Sequence, residues 1–472
     1  MSYPYFKTDN KHINEAYRMA IATLEANIEP FKDGILENEE PVIIAGLRYW
    51  SPWTRDAAIN TWNAGGLICP EVALNTLKSV LATCDKGYII GGEYWDAIIW
   101  AIGAWNYYLY TGDKAFLKIA YNATENSLEF FEETEFDADK NLFRGAACYG
   151  DGIAAYPDVY VANGKSGIIF FTEFCKELCV EKGVGLPMMA LSTNCLYYKA
   201  YLVADLMAKE LGETEKYRDK AKKMYDAINK HFWCEEKGKY LYLIDPFGNC
   251  DHYEALGSSF ALLFNVADEE KREKVFKNQH ITEHGIPCVW PTFSRYKLDE
   301  NSFGRHSGTV WPHAQGFWAD ACAMHGRVDK FDFEFNAQTE NAIRSHQFSE
   351  IYHPVTGEMY GGLQEDNSVP TNISLWSSLP FQTWSATAYL RNVYLDIVGM
   401  KFDTNGIHFS PVGSTLIKNA ELRELKYRDA VLNINLSGEG SKILSFKVNG
   451  IESDPFIPAN FTGVLDIQIL LG

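Results

Sequence analysis

The sequence of 472 residues predicts a mainly α-helical protein. We expect an (α/α)6 toroid of six helical hairpins over residues 1–398, followed by a small β domain over residues 399–472. Three observations predict this fold. Helical periodicity dominates up to about Val398, the helices alternate between two compositions, and the periodicity changes after Gly399.

The helices are predicted from apolar residues at positions i, i+3, i+4 and i+7, the spacing of one helix face. Leu196, Ala200 and Val203 show this spacing, and Pro70 and Pro187 stand where helices begin. Twelve segments fit: 11–29, 54–65, 70–82, 94–111, 114–134, 188–212, 214–232, 251–265, 268–278, 308–326, 329–347 and 380–398.

The two helix compositions alternate along the chain. Odd-numbered helices are charged on one side, as in 214–232, whereas even-numbered ones are almost entirely apolar or aromatic, as in Trp95–Tyr110. An amphipathic helix lies at a surface, and a helix that is apolar all round is buried. Six outer and six inner helices therefore favour a closed ring. The alternative is an open solenoid, but no sequence pattern of that kind repeats.

The last part of the chain alternates apolar and polar residues, which is typical of strands. Ile407–Pro411, Val431–Leu436 and Ile443–Val448 are the predicted strands, and Asn449-Gly450 predicts a tight turn. We expect this β domain to be a structural cap.

Composition excludes several classes of protein. The net charge of −19 disfavours binding to nucleic acid or to anionic membranes. No apolar run is long enough to span a bilayer, and no export signal is present, so a cytoplasmic protein with reduced cysteines is expected. Cys175 and Cys179 are one helical turn apart and could bind metal, but no second pair accompanies them. No phosphate-binding loop follows a strand, so no cofactor is expected. The sequence predicts no particular oligomeric state.

The starts of the even-numbered helices combine aromatic and polar side chains. If these helices line a barrel, their N-terminal ends open onto one face. A sugar offers an apolar face to an aromatic ring and hydroxyls to charged side chains, so the set predicts an oligosaccharide or glycoside site. Helix capping and core packing are the alternatives. The candidate binding residues are Trp53, Arg55, Asp56, Tyr94, Trp95, Asp96, Asn194, His306, Trp311, His313 and Trp384.

Hydrolysis of a glycosidic bond requires two carboxyl groups. Two insertions interrupt the rhythm of the hairpins, and each carries a candidate: Asp151 in 135–186 and Glu350 in 348–379. Asp151 lies between two glycines, which give the backbone freedom; a plain surface turn is the alternative. Glu350 could instead be a solvated carboxylate at a helix end. Glu358, Glu365 and Asp366 are weaker rivals.

Three motifs resemble a known family. Trp53-Thr54-Arg55-Asp56, Gly308-Thr309-Val310-Trp311-Pro312 and the stretch from Glu350 to Thr383-Trp384-Ser385-Ala386 are similar to elements of glucoamylases and of the amylo-α-1,6-glucosidase part of glycogen debranching enzymes. The resemblance covers about residues 45–398 and extends to other six-hairpin glycosidases, including trehalase and the family 63 α-glucosidases.

The resemblance implies an inverting, exo-acting hydrolase of α-glycosidic bonds. Glu350 would be the general base and Asp151 the general acid. Arg55 and Asp56 would hold hydroxyls of the terminal sugar, and Trp53, Trp95, Trp311 and Trp384 would wall the site. Alternatives are an α-L-rhamnosidase-like or phosphorylase-like enzyme, a silent sugar-binding toroid, and an epimerase that uses His306 and His313.

Overall fold

The computed structural model describes residues 3–92, 94–366 and 372–472. Every one of the twelve predicted helical segments contains a helix, and the mainly helical prediction is confirmed. These helices are α1 Lys11–Ala26, α2 Thr54–Asn60, α3 Pro70–Ser79, α4 Ile99–Thr111, α5 Lys114–Thr134, α6 Leu191–Leu211, α7 Arg218–His231, α8 Ala255–Leu263, α9 Glu269–Asn278, α10 Pro312–Met324, α11 Val328–Ser345 and α12 Thr383–Arg391.

Two inner helices continue in a wider helical form. A π-helical turn, Thr61–Gly65, and a short helix, Gly66–Ile68, extend α2, and Asn392–Ile397 extends α12 as a π-helix. Another short helix, Phe171–Phe174, lies in the first insertion. The described residues contain no helix that is both long and apolar enough to cross a bilayer.

Burial follows the predicted alternation. In α4 every residue but Asn106 and Thr111 is buried, whereas α7 buries only Ala221, Met224, Ala227 and Ile228. Contacts link α2 to α4, α4 to α6, α6 to α8, α8 to α10 and α10 to α12, and α12 returns to α2. The even-numbered helices therefore form a closed cycle of neighbours.

Small residues let these inner helices approach closely. A Cβ atom added to Gly103 of α4 would lie 2.7 Å from the Cα of Ala58, which belongs to α2. Large rings fill the remaining space: Trp62 packs against Phe317 with ring centroids 4.8 Å apart and stacks on Phe260 at 6.5 Å. The interior between the helices is thus occupied by side chains.

Buried polar side chains also run between α2, α12 and α10. The Thr387 hydroxyl donates to Asn60 Oδ1 at 2.8 Å, and Asn63 donates to Thr387 at 3.3 Å. Arg391 donates to Asn63 Oδ1 at 3.5 Å and forms an ion pair with Asp320. These polar side chains bond to one another, which offsets the cost of their burial.

Short antiparallel strand pairs connect or flank the helices. They are Ile28–Phe31 with Glu40–Ile43, Leu81–Cys84 with Gly87–Ile90, Phe136–Asp137 with Leu142–Phe143, Met189–Ala190 with Leu243–Ile244, Trp233–Cys234 with Lys239–Tyr240, Tyr253–Glu254 with Val289–Trp290, and Leu363–Glu365 with Ile373–Leu375.

A six-stranded sheet lies mainly in the last part of the chain. Its strands are β1 Tyr5–Thr8, β2 Asn419–Tyr427, β3 Ala430–Gly438, β4 Ile443–Val448, β5 Ile451–Glu452 and β6 Gly463–Leu471. The order is β1-β2-β3-β6-β4-β5, with β3 parallel to β6 and the other pairs antiparallel. A second sheet joins Met400–Phe402, Gly406–Phe409 and Phe456–Pro458.

The predicted strands are present, and Ile443–Val448 has the predicted bounds. Asn449 and Gly450 have φ of 51° and 81°, so they form the predicted tight turn between β4 and β5. The N-terminal strand was not predicted: Tyr5–Thr8 pairs with β2 and buries Phe6 and Thr8, although the sequence placed it with the helices. A four-residue strand carries too short an alternation to be recognised from the sequence.

Candidate active site

A cavity of about 650 Å³ opens at the N-terminal ends of α2, α10 and α12. We call it the N-terminal cavity. Eight of the predicted site residues line it: Trp53, Arg55, Asp56, Asp151, His306, Trp311, Glu350 and Trp384. Both predicted catalytic carboxylates, which are 199 positions apart in the sequence, therefore face one space.

Glu350 lies at the wall of this cavity and is almost fully buried, at 3% exposure. Its Oε2 accepts a hydrogen bond from Arg305 Nη2 at 2.8 Å and another from the Leu379 backbone N–H at 3.2 Å. Both bonds fall on the same oxygen and restrain its position.

Arg305 is itself held rigidly. Its Nη1 donates to the carbonyl oxygens of Gly361 at 3.0 Å and Ser377 at 3.2 Å. Its guanidinium lies 5.5 Å from the centroids of both the Trp311 and Trp376 rings. A planar cation clamped in this way can orient a carboxylate with little loss of side-chain entropy. Arg305 was not among the residues predicted from the sequence, although it directly precedes His306.

Asp151 also lines the cavity and belongs to the first insertion. Its side chain is 44% exposed, and its Oδ1 lies 3.8 Å from His306 Nε2. The backbone is fixed more firmly: the Ile168 N–H donates to the Asp151 carbonyl at 2.8 Å, and Gly152 forms a bridge with Gly167.

The glycines around Asp151 serve close packing rather than unusual backbone angles. Gly152 has φ of −79°, which any residue can adopt, but an added Cβ would lie 2.3 Å from His306 Cε1. The left-handed residue in this segment is Tyr149, with φ of 56°. The sequence suggested backbone freedom here; the structure shows a steric requirement for the absence of a side chain.

Arg55 and Asp56 follow Trp53 in the first turn of α2, and both are 4% exposed. Burial raises the pKa of Asp56 to about 7; the adjacent Arg55 opposes this rise, and Asp151 and Asp96 reinforce it. Arg55 Nη1 pairs with Asp96 at 3.3 Å. Near neutral pH the cavity therefore holds a carboxyl group that is partly protonated and can both donate and accept hydrogen bonds.

Aromatic and imidazole rings lie in and beneath the cavity. His306 stacks on Trp311 with centroids 4.7 Å apart, and His313 stacks on Trp384 at 4.0 Å. Burial lowers the pKa of both histidines well below the ordinary value, and the positive charge of Arg55 acts in the same direction. Both imidazoles are therefore neutral at pH 7.

The five other predicted binding residues, Tyr94, Trp95, Asp96, Asn194 and His313, do not line the cavity. Trp95 Nε1 donates to the Ala147 carbonyl at 2.9 Å, and the Tyr149 N–H donates to Asp96 at 2.7 Å. Tyr94 stacks on Trp95 with centroids 4.9 Å apart. These side chains lie against the segment 144–152, which we call the covering loop.

Asn194 and His313 are also buried. Asn194 accepts a hydrogen bond from the Phe143 N–H at 2.8 Å and donates to the Phe143 carbonyl at 3.0 Å, just before the covering loop. His313 lies between the rings of Trp384 and Tyr149. The starts of α4 and α6 thus hold the covering loop in place.

The rival carboxylates of the second insertion lie elsewhere. Glu365 is buried and accepts a hydrogen bond from the Tyr296 hydroxyl at 2.6 Å, and Glu358 is exposed. Of the carboxylates described in this insertion, only Glu350 lines the cavity. Other lining residues carried no sequence signal, including Tyr49, Gln364 and Trp376. In the described parts of the chain, no three His, Cys, Asp or Glu side chains are grouped so that they could bind a metal ion.

Solved structures share this fold at low sequence identity. A sialidase superposes with a TM-score of 0.67 and 13% identity, covering 90% of this chain and 37% of the sialidase. A GH78 family rhamnosidase of a Bacillus species superposes with a TM-score of 0.58 and 16% identity, covering 100% of this chain and 44% of the rhamnosidase. This chain therefore spans less than half the length of either protein.

A smaller structure matches over its whole length. The GH63 mannosylglycerate hydrolase from Thermus thermophilus, in complex with glucose, superposes with a TM-score of 0.60 and 12% identity, covering 80% of this chain and 100% of that one. No curated protein sequence matches this chain.

A family model gives the assignment. The model of the mannosylglycerate hydrolase MGH1-like glycoside hydrolase domain matches residues 96–385, which include α4 to α11, the start of α12, the covering loop, Asp151 and Glu350. The predicted resemblance to six-hairpin glycoside hydrolases is confirmed, and the chain belongs to the MGH1-like glycoside hydrolase family.

Proposed function

We propose that the protein is an inverting, exo-acting glycoside hydrolase that cleaves α-glycosidic bonds, in particular α-glucosidic bonds of short oligosaccharides. One observation carries this proposal: carboxylates from two separate insertions, Asp151 and Glu350, line the same cavity. An inverting hydrolase needs one carboxylic acid to protonate the leaving oxygen and one carboxylate to activate water on the opposite side of the sugar.

Glu350 acts as the general base in this proposal. Arg305 and the Leu379 N–H hold one oxygen of its carboxylate, so the group keeps a fixed direction while it removes a proton from water. The water then attacks the anomeric carbon.

Asp151 acts as the general acid. It is the more exposed of the two carboxylates, which suits a group that must reach the leaving-group oxygen at the cavity entrance. His306 Nε2 lies 3.8 Å from Asp151 Oδ1, and both side chains line the same cavity. The leaving sugar departs as an alcohol once Asp151 has given up its proton.

The remaining cavity residues hold the terminal sugar. Arg55 and Asp56 form hydrogen bonds with its hydroxyls, and Trp53, His306, Trp311 and Trp384 enclose its apolar faces. The residues against the covering loop position the acid through the backbone rather than by touching the sugar.

We also propose the architecture that this function requires. The closed cycle of even-numbered helices supports an (α/α)6 toroid over residues 1–398, with residues 399–472 as the β domain and β1 added to its sheet.

A second candidate substrate is a glycoside with an anionic aglycone. Arg48 is exposed, lines the N-terminal cavity, and forms no ion pair with any described residue. The Thermus thermophilus mannosylglycerate hydrolase has been solved with D-glycerate, an anion that such a guanidinium could bind.

The test is a screen of α- and β-linked disaccharides, glucosylglycerate, mannosylglycerate and aryl glycosides, with the anomer of the first product followed by NMR. We expect hydrolysis of α-linked substrates only, with formation of the β-anomer. Retention of configuration would refute the roles of Asp151 and Glu350, and a strict requirement for glycerate would establish the second candidate.

A further inference from the structure

A second cavity, of about 610 Å³, lies at the opposite end of the inner helices. We call it the C-terminal cavity, because the later turns of α4, α6, α8, α10 and α12 line it together with residues 400–404 and Ser410. It shares no lining residue with the N-terminal cavity. Its size and mixed lining are those of a small-molecule site.

Lys199, in the middle of α6, lines this cavity. Its ammonium lies 5.6 Å from the centroid of the Phe264 ring and forms no ion pair or hydrogen bond with any described residue. Burial lowers its pKa, and no carboxylate opposes that shift. A lysine in such surroundings is costly unless a negative charge accompanies it.

The two other basic side chains of the cavity lining, Arg391 and Lys401, have carboxylate partners. Arg391 pairs with Asp320, and Lys401 lies 3.4 Å from Asp320 and 3.0 Å from Asp396. Lys199, in contrast, forms no ion pair with any described residue.

Asp403, a further carboxylate of the lining, is occupied elsewhere. It accepts hydrogen bonds from the N–H groups of Asn405 and Gly406, and His408 lies 3.0 Å from its other oxygen. It forms no ion pair with Lys199, whose lowered pKa has burial as its cause.

The neutral part of the lining suits a sugar ring. Trp105, Phe264 and Phe402 provide aromatic surface, and Thr404 and Ser410 carry hydroxyls that bond to no described side chain or backbone group. Aromatic rings stack on the apolar faces of pyranoses, and hydroxyls and amides bind their rims.

We propose that the C-terminal cavity binds an anionic monosaccharide, a sugar that carries one phosphate or carboxylate group, with the anion on Lys199 and the ring against Trp105 and Phe264. This site is separate from the proposed hydrolytic site and does not depend on it.

The experiment is isothermal titration calorimetry on the full chain with glucose 6-phosphate, glucuronate, glucose and inorganic phosphate as probes. We expect one or both anionic sugars to bind, and glucose or phosphate alone to bind at least tenfold more weakly. Binding of glucose 6-phosphate only, or of glucuronate only, identifies the anionic group. Failure of both to bind at 10 mM, as an upper order-of-magnitude limit on a useful Kd, would overturn the proposal.

Four variants locate the site. Lys199→Gln should raise the Kd at least tenfold, whereas Lys209→Gln, on the exposed side of the same helix, should leave it unchanged. Leu206→Trp should also abolish binding, because it fills the cavity without changing its charge. Arg55→Ala, in the N-terminal cavity, should have no effect. Loss of binding in Arg55→Ala with retention in Lys199→Gln would place the ligand in the hydrolytic site and reject the proposal.

Discussion

The N-terminal ends of the inner helices form two halves, which differ in what covers them. In one half, the starts of α2, α10 and α12 are open and supply Trp53, Arg55, Asp56, His306, Trp311 and Trp384 to the N-terminal cavity. In the other half, the covering loop lies over the starts of α4 and α6. Its Cys148 N–H donates to the Ser192 hydroxyl at 2.9 Å, and Thr193 donates to the Ala146 carbonyl at 2.6 Å.

Similar sequence patterns therefore have different roles. Trp95 and Asp96 resemble Trp53 and Asp56 in residue type and position, yet they bind backbone groups of the covering loop. The loop brings buried N–H and C=O groups that must find partners, and the helix starts beneath it provide them. We infer that the open half performs binding and base catalysis, and that the covered half positions the acid.

Substitution of the base should have the largest effect. Glu350→Gln keeps the size of the side chain but removes its basicity, so we expect kcat to fall by about 10⁴-fold with little change in KM. The measurement is steady-state hydrolysis of the best substrate from the screen. Glu358→Gln, an exposed carboxylate of the same insertion, is the matched control and should keep full activity. Normal turnover by Glu350→Gln would remove this residue from the mechanism.

Substitution of the acid should depend on the leaving group. Asp151→Asn should lower kcat by about 10³-fold on a disaccharide but less than about tenfold on a dinitrophenyl glycoside, whose leaving group needs no protonation. Asp158→Asn, in the same insertion but paired with Arg295, is the control. Equal losses on both substrates would argue against Asp151 as the acid.

A substitution in the covered half should reduce stability first. Asn194→Ala leaves the Phe143 N–H and C=O buried without their partners, which should lower the free energy of unfolding by about 2–4 kcal/mol. Urea unfolding measures this change, and Asn38→Ala, at an exposed position, should change the free energy of unfolding by less than about 0.5 kcal/mol.

The remaining activity of Asn194→Ala sharpens the comparison. If the covered half positions the acid, the loss of kcat in Asn194→Ala should be larger on a disaccharide than on a dinitrophenyl glycoside. Equal loss on both substrates would show that this half contributes only stability.

The pH dependence of stability should show an effect that is spread over several pH units. Burial raises the pKa of Asp56 to about 7 in the folded protein, while an unfolded aspartate loses its proton near ~3.9. Between these values the folded state binds the extra proton, so this group makes the free energy of unfolding fall as pH rises from ~4 to ~7.

Asp56→Asn should reduce the slope of the free energy of unfolding against pH by up to ~1.4 kcal/mol per pH unit. Urea unfolding of both proteins at several pH values in this window is the measurement. Parallel slopes would mean that Asp56 is ionised throughout and that the cavity is more polar than its burial indicates.

The sequence predicted the helices well because their apolar periodicity is long and regular. It also predicted Asp151 and Glu350 as candidates, because each stands in an insertion that breaks this regularity. It could not distinguish the two halves of the inner-helix ends, because the contacts of the covering loop with Asp96 and Asn194 form only in the tertiary structure. Arg305 and Trp376 were missed for a similar reason: their role lies in a stack with Trp311 that joins distant parts of the chain.

The filled interior has a consequence for how a long substrate would be processed. Trp62, Phe260 and Phe317 occupy the space between the inner helices, and the two cavities at its ends have no wall in common. A chain cannot thread through the ring, so the monosaccharide released in the proposed reaction must leave by the route through which it came. After each turnover the shortened chain must then dissociate from the cavity and bind again. Successive hydrolysis steps on a single polymer are therefore separate binding events.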